Sequence, residues 1–150
     1  MRAIIQRVTE ASVHISGNVH ASIGHGLLIL LGVEEGDTRA DAEWLSAKIY
    51  QMRIFEDAQG LMNISLADTG GEMLVISQFT LFASTKKGNR PSFIRSARPE
   101  MAIHLYAYFI DRLNSLSGKQ TATGEFGAEM QVHLVNNGPV TIIIDSKNKE

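Results

Sequence analysis

The 150-residue chain has no cysteine, only three prolines, and 7% aromatic residues. Without cysteine there are no disulfides, no thiolate nucleophiles and no zinc–thiolate sites. That composition fits a reducing compartment. Long apolar runs are missing too. Leu27 to Leu31 and Leu105 to Ile110 are the longest, far short of the roughly 20 residues with which a helix spans a bilayer. The first stretch, MRAIIQRVTEASVHI, carries charge at Arg2, Arg7 and Glu10 and lacks the uninterrupted apolar core of a secretion signal. A cytoplasmic protein with no membrane partner is expected.

Negative charge is also missing locally. No Asp or Glu falls between Met73 and Pro99, a segment that holds Lys86, Lys87, Arg90, Arg95 and Arg98. The chain as a whole has a net charge of −2, so a surplus of seven negative charges lies elsewhere. The overall sign argues against general attraction to nucleic acid, but a local basic patch can hold a phosphate backbone in one place. A solvated loop would carry the same charges, and composition alone does not separate the two readings.

What is present is globular. With 44% hydrophobic and 20% charged residues, the chain is the size of one domain, residues 1–150, with enough apolar surface for a core. No linker or repeat divides it. Residues 1–15 predict a strand or two, closed by a turn at Ser16-Gly17-Asn18. GLLILLGV, residues 26–33, predicts a buried strand. Thr38 followed by Asp41 approximates a capping box, and Leu45, Ile49 and Met52 keep helical spacing, so a helix is expected over 39–53. Ile54 and Phe55 read as strand and Asp57 to Gly60 as a turn. Met73 to Phe82 reads as one strand, and Thr85 to Arg98 as an irregular basic segment. Pro99 suits the first turn of a second helix, striped by Met101, Leu105, Phe109 and Leu113 and stopped at Gly118. Met130 to Leu134 and Val140 to Ile144 alternate as strands, with Asn136 to Pro139 as a turn between them. The expected class is α+β, with too many strands and too few helices for a doubly wound sheet.

Three polar groups interrupt the strand MLVISQFTLFA: Ser77, Gln78 and Thr80. Each costs about 1–3 kcal/mol if buried without a partner. They form either a satisfied network at a sheet edge or the floor of a site. Thr80 could be a nucleophile only with a base in reach, and its strand neighbours include no His, Asp or Lys. NNGPVT, residues 136–141, is either a plain turn or a rigid loop presenting backbone carbonyls. His14, His20, His25, His104 and His133 fall in no metal-ligand spacing, and GHGLLILLG lacks the lysine and spacing of a phosphate loop.

The stretches MRAIIQRV, GLLILLGVEEGD, RIFED, SQFTL, KGNRPSF, FGAEMQVHLVN and NGPVT occur in that order from Met1 to about Asp145. Together they resemble the D-aminoacyl-tRNA deacylases, first described as D-tyrosyl-tRNA deacylases. The pairing of SQFTL with a late GPVT carries most of the likeness. Asn137 departs from it, since family members often have Asp before the Gly-Pro.

The resemblance implies a single-domain, mainly antiparallel or mixed, barrel-like sheet with two main helices. It implies hydrolysis of the ester of D-aminoacyl-tRNA, and of mischarged glycyl-tRNA, without cofactor or metal. It also implies a homodimer with its sites at the subunit interface. By position, Ser77, Gln78, Phe79 and Thr80 carry over as catalytic-site residues. Gly138 and Pro139, joined by a cis bond, project into the other subunit's pocket and exclude L-amino acids. Phe126 and Met130 lie near the adenosine, and Arg7 braces the Gly-Pro loop. The basic segment would meet tRNA phosphates. Two other readings stand beside this one: a non-catalytic nucleic-acid-binding module using residues 86–98, and an esterase for small esters with Thr80 as nucleophile.

Overall fold

Alternation of apolar and polar side chains along the first fifteen residues builds the strand from which the whole sheet hangs. The computed structural model describes all residues from Met1 to Glu150. The elements run β1 (Arg2–Ile15), β2 (Asn18–Ile23), β3 (Gly26–Gly32), α1 (Arg39–Gln51), β4 (Phe55–Glu56), β5 (Met62–Ile64), α2 (Leu66–Thr69), β6 (Glu72–Ser77), a 3-10 turn (Phe79–Phe82), α3 (Pro99–Ser117), β7 (Ala122–Thr123) and β8 (Gln131–Asp145). The main sheet has six strands in the order β2-β1-β3-β6-β7, and β8 lies along the other side of β1. Pairing is antiparallel around β1 and parallel from β3 to β6 and from β6 to β7. This is the expected α+β class with a barrel-like sheet. The two long helices are α1 and α3; α2 is a single turn. No helix is long and apolar enough to cross a membrane.

Each central strand feeds two cores because successive side chains point to opposite faces. Ala3, Ile5, Leu27, Ile29, Leu31, Met73 and Val75 join Leu45 and Ile49 of α1 and Leu105, Phe109 and Leu113 of α3 in the larger core. Val8, Ala11, Val13, Leu28, Leu74 and Ile76 form a smaller one on the other face. Full burial of each such side chain is worth about 1.5–3 kcal/mol, so the sheet is held from both sides. The helix limits follow local chemistry. Pro99 is the first residue of α3, and Gly118, at φ +67°, caps its end. Ile103, also on α3, is exposed.

Two expected elements take a different form. The strand read over Met73–Phe82 stops at Ser77 and continues as the 3-10 turn. Gly32 permits this: a Cβ there would lie 3.0 Å from Gln78 O and 3.1 Å from Phe82 Cε2, so the turn folds back onto the end of β3. The turn read at Asn136–Pro139 does not separate two strands. β1 runs straight through and pairs with β8 on both sides of it, Gln6 with Thr141 and Val8 with Asn136, so residues 137–140 bulge out opposite Arg7.

The start of α1 carries the expected capping box. Asp41 Oδ2 accepts from the Thr38 N–H at 2.8 Å and from its hydroxyl at 3.0 Å, and Asp41 Oδ1 accepts from Ser146 Oγ at 2.7 Å. Burial alone would raise the Asp41 pKa, but the hydrogen bonds from Ser146 and Thr38 outweigh it and hold the carboxyl below its ordinary 3.8. A carboxylate held low contributes stability that is complete above its unfolded value and lost as pH falls through its folded one. Asp41→Ala is therefore expected to destabilise the protein by about 1 kcal/mol at pH 7. Urea melts at pH 7 and pH 3 should show the wild-type–variant gap shrinking at the lower pH.

Candidate active site

The parallel strands β3 and β6 end side by side, and the candidate site lies at their carboxyl ends. Leu31 faces Ser77 in register, and the last rung is the Gln78 N–H donating to Leu31 O at 2.8 Å. Beyond it the chain turns. Leu81 N–H donates back to Gln78 O at 3.3 Å, and Ala83 N–H to Thr80 O at 3.1 Å. The N–H groups of Phe79 and Thr80 open this turn and have no partner within it.

Four attachments hold the turn in place. Arg2 Nη1 donates to Leu81 O at 2.9 Å. Ser96 Oγ donates to Phe79 O at 2.8 Å. Phe82 is fully buried, with the guanidinium carbons of Arg2 and Arg95 lying 4.9 Å and 5.6 Å from its ring centre. The Gln78 amide donates to the Thr80 hydroxyl. Thr80 is exposed, and its neighbour in this contact is an amide, which cannot act as a base.

A cavity of about 640 Å³ opens against the turn. Ser77, Gln78 and Phe79 form one wall, and Phe126 and Met130 another. Phe79 is 58% exposed and meets Phe93 edge-on at 5.1 Å. Phe126 meets Tyr106 at 5.9 Å, also edge-on. The Tyr106 hydroxyl donates to Val75 O at 2.8 Å beneath the floor, and burial pushes that phenol well above its ordinary value. The lining contains no carboxylate, imidazole, amine or thiol, and the Tyr106 phenol, held above its ordinary value by burial, keeps its proton near neutral pH.

Gly138 and Pro139 lie outside this cavity. Both are exposed and joined by a cis peptide bond. Their bulge is tied down from beneath. Arg7, only 4% exposed, donates from Nε to Asn137 O at 2.9 Å and from Nη1 to Ile54 O at 2.8 Å, and reaches Glu56 Oε1 at 3.4 Å. Asn136 Oδ1 accepts from the Val140 N–H at 2.8 Å. At Gly138, φ is +140°, and a Cβ would sit 2.7 Å from Val140 Cγ2 and 3.2 Å from Arg7 Nη2, so no larger residue fits. The structure thus brings Ser77, Gln78, Phe79, Phe126 and Met130 together, sets Thr80 just outside, and places Gly138 and Pro139, with Arg7 buried beneath them, as a second group outside the cavity.

Comparison with known proteins decides the family. Residues 4–145 match the family model described as D-Tyr-tRNA(Tyr) deacylase. The chain belongs to the D-Tyr-tRNA(Tyr) deacylase family. It is 61% identical to the D-aminoacyl-tRNA deacylase of Cytophaga hutchinsonii and 57% identical to that of Phocaeicola vulgatus, covering all of both chains in each case. Among solved structures, the c-Myc DNA Unwinding Element Binding Protein superposes with a TM-score of 0.92 at 40% identity over 97% of this chain and 98% of the other. A probable eukaryotic D-amino acid tRNA deacylase superposes with a TM-score of 0.81 at 14% identity, covering 95% of this chain and 97% of that one; at that identity the likeness concerns the fold.

Deacylase-family motifs account for both walls of the cavity, for Phe93 and for the Gly-Pro bulge, but not for Ser96, Arg98 and Tyr106, which also line it. The spacing SxxxSAR from Ser92 to Arg98 is unremarkable in sequence. Tyr106 reads as part of a helix stripe, and nothing local marks its hydroxyl as bonded to β6. The contacts of Arg7 generate a stability prediction. Removing its guanidinium leaves the carbonyls of Ile54 and Asn137 unpaired, and an orphaned buried acceptor costs about 1–3 kcal/mol. Arg7→Met is expected to lower stability by about 2–4 kcal/mol in guanidinium titration, and Arg7→Lys to recover only part, since an ammonium cannot span the fork.

Proposed function

We propose that this protein hydrolyses the ester joining a D-amino acid to the terminal adenosine of tRNA, releasing the free amino acid and the tRNA, and that it clears glycine from mischarged tRNA in the same way. The observation that carries the reading is a cavity bordered at Phe79 by a turn whose opening N–H groups, those of Phe79 and Thr80, have no partner within it, in a lining with no carboxylate, imidazole, amine or thiol. Relatives that share 53–61% of their residues with this chain are named D-aminoacyl-tRNA deacylases.

Such a site suits an ester whose own neighbour helps it react. Water adds to the ester carbonyl, and the developing oxyanion accepts hydrogen bonds from backbone N–H groups, which cost no reorganisation. The adjacent 2′-hydroxyl of the ribose relays the proton as the carbon–oxygen bond breaks, and the ribose oxygen leaves as a hydroxyl. Phe126 and Met130 offer an apolar face to the adenine. Lys86, Lys87 and Arg90, all exposed, suit contact with the acceptor-stem phosphates without reading bases.

In this reading a second copy supplies Gly138 and Pro139. Their exposure, the Arg7 brace and their position outside the cavity of their own chain support it. Carried into the partner's cavity, the bulge rejects an L side chain sterically and leaves glycine, which has none, free to react.

The test is deacylation of matched D-tyrosyl-, L-tyrosyl- and glycyl-tRNA by the purified protein, with chelator present. Release from the D and glycyl substrates but not the L substrate is expected. Thr80→Ala should stay within about fivefold of wild type, whereas loss of a true nucleophile would exceed about 10³-fold. Gly138→Ala should displace the bulge and narrow the D-over-L preference. One observation favours a second reading: the exposed basic segment, together with the name of a structural relative 40% identical, the c-Myc DNA Unwinding Element Binding Protein. Salt-sensitive binding to nucleic acid whether or not it is aminoacylated, without release of amino acid, would select that reading.

A further inference from the structure

Ser96 lies seventeen residues beyond Phe79 in the chain, yet its hydroxyl donates to the Phe79 carbonyl at 2.8 Å. That carbonyl belongs to the same planar unit as the Thr80 N–H. In a trans peptide the two point in opposite directions and rotate together. A hydrogen bond that fixes the carbonyl therefore fixes the direction of the N–H.

Ser96 is itself firmly placed. Residues Arg95 to Ala97 run against Val33 to Glu35: the Ala97 N–H donates to Val33 O at 2.9 Å and the Glu35 N–H to Arg95 O at 2.9 Å, with Glu34 and Ser96 bridged antiparallel. Arg95 closes the join through its ion pair with Glu34 Oε1 at 2.6 Å. The Ser96 N–H donates to Phe93 O at 3.0 Å, which fixes the residue from its other side.

We infer that Ser96 is a positioning residue for the reaction: its hydroxyl orients the Phe79–Thr80 peptide so that the Thr80 N–H is aimed at the reacting carbonyl. This rests on the reading in which main-chain N–H groups of the turn receive the oxyanion. It also ties the segment that carries the basic charges to the catalytic turn through one hydrogen bond. Ground-state binding does not need that alignment, and the transition state does, so the effect belongs in kcat.

The experiment compares wild type with Ser96→Ala, Ser96→Thr and Ser96→Val on D-tyrosyl-tRNA. Threonine and valine have the same shape and differ in the hydroxyl, which separates a lost hydrogen bond from altered packing. Ser96→Ala and Ser96→Val are expected to lose about 10–100-fold in kcat, less than the about 10²–10³-fold that accompanies loss of an oxyanion donor outright, with KM within about threefold. Ser96→Thr should stay within about threefold of wild type in both. The Thr80 amide resonance should move in the alanine and valine variants and hold in the threonine one.

Unchanged kcat in Ser96→Ala, equal losses in threonine and valine, or a rise in KM alone would overturn the inference while leaving the deacylase reading intact. A wild type that releases no D-tyrosine sinks the deacylase reading and, with it, the catalytic role of Ser96. A Thr80 amide unmoved in Ser96→Ala overturns the clamp whatever the activity.

Discussion

The bond from the Gln78 N–H to Leu31 O is the last rung of the β3–β6 ladder, and the site is a product of where that ladder stops. A parallel pair can be extended only while both strands continue. Gly32 ends β3 and lets Gln78 and Phe82 close over it, so β6 has no further partner on that side. The chain responds by tightening into a 3-10 turn, which leaves its first N–H groups without a partner in it. Side chains from two distant places and one of its own then hold the turn: Arg2 from the start of β1, Ser96 from the basic segment and Phe82 from within it. The cavity is the space left between this turn, α3 and the residues before β8, at the junction of the two apolar cores.

Electrostatics follows the same geometry. The charge imbalance evident in composition resolves into an acidic body and a basic segment fastened to the end of β3. One of the five cations is not free: Arg95 is paired to Glu34 and packs toward Phe82, so it works as a brace. Lys86, Lys87, Arg90 and Arg98 remain exposed. Inside the cavity Arg98 is the one charged side chain, and fixed dipoles make up the rest of the polar lining. The buried Tyr106 phenol stays protonated and serves as a donor to Val75 O.

What the sequence discloses and what it hides divide along one line, the distance between a residue and its cause. The limits of α1 and α3 are legible because their causes are local: Thr38 with Asp41, Pro99, Gly118. The strands β1, β3 and β6 are legible for the same reason, since alternation in the first and short apolar runs in the other two need only neighbours. The end of β6 at Ser77 is not, because what stops it is Gly32, with Ser96 and Arg2 holding the turn beyond. The Asn136–Pro139 bulge reads as a turn because composition cannot show that β1 supplies a partner on both sides of it. The grouping of Ser77 to Phe79 with Phe126 and Met130 came from likeness to a family rather than from pattern, and Tyr106 and Ser96 escaped both.

The pairing of β1 with β8 runs from Arg2 opposite Asp145 to His14 opposite Gln131. The sheet thus joins the first strand made to the last one. During synthesis β2 and β3 can pair with β1 almost at once, but the other edge of β1 stays open until residues beyond 131 have left the ribosome. Closure over so long a loop is slow, and an unpaired edge is a template for the wrong strand. The same join that positions Arg7 beneath the Gly-Pro bulge therefore sets a period of exposure for every newly made chain, one that ends only when the carboxyl-terminal strand arrives.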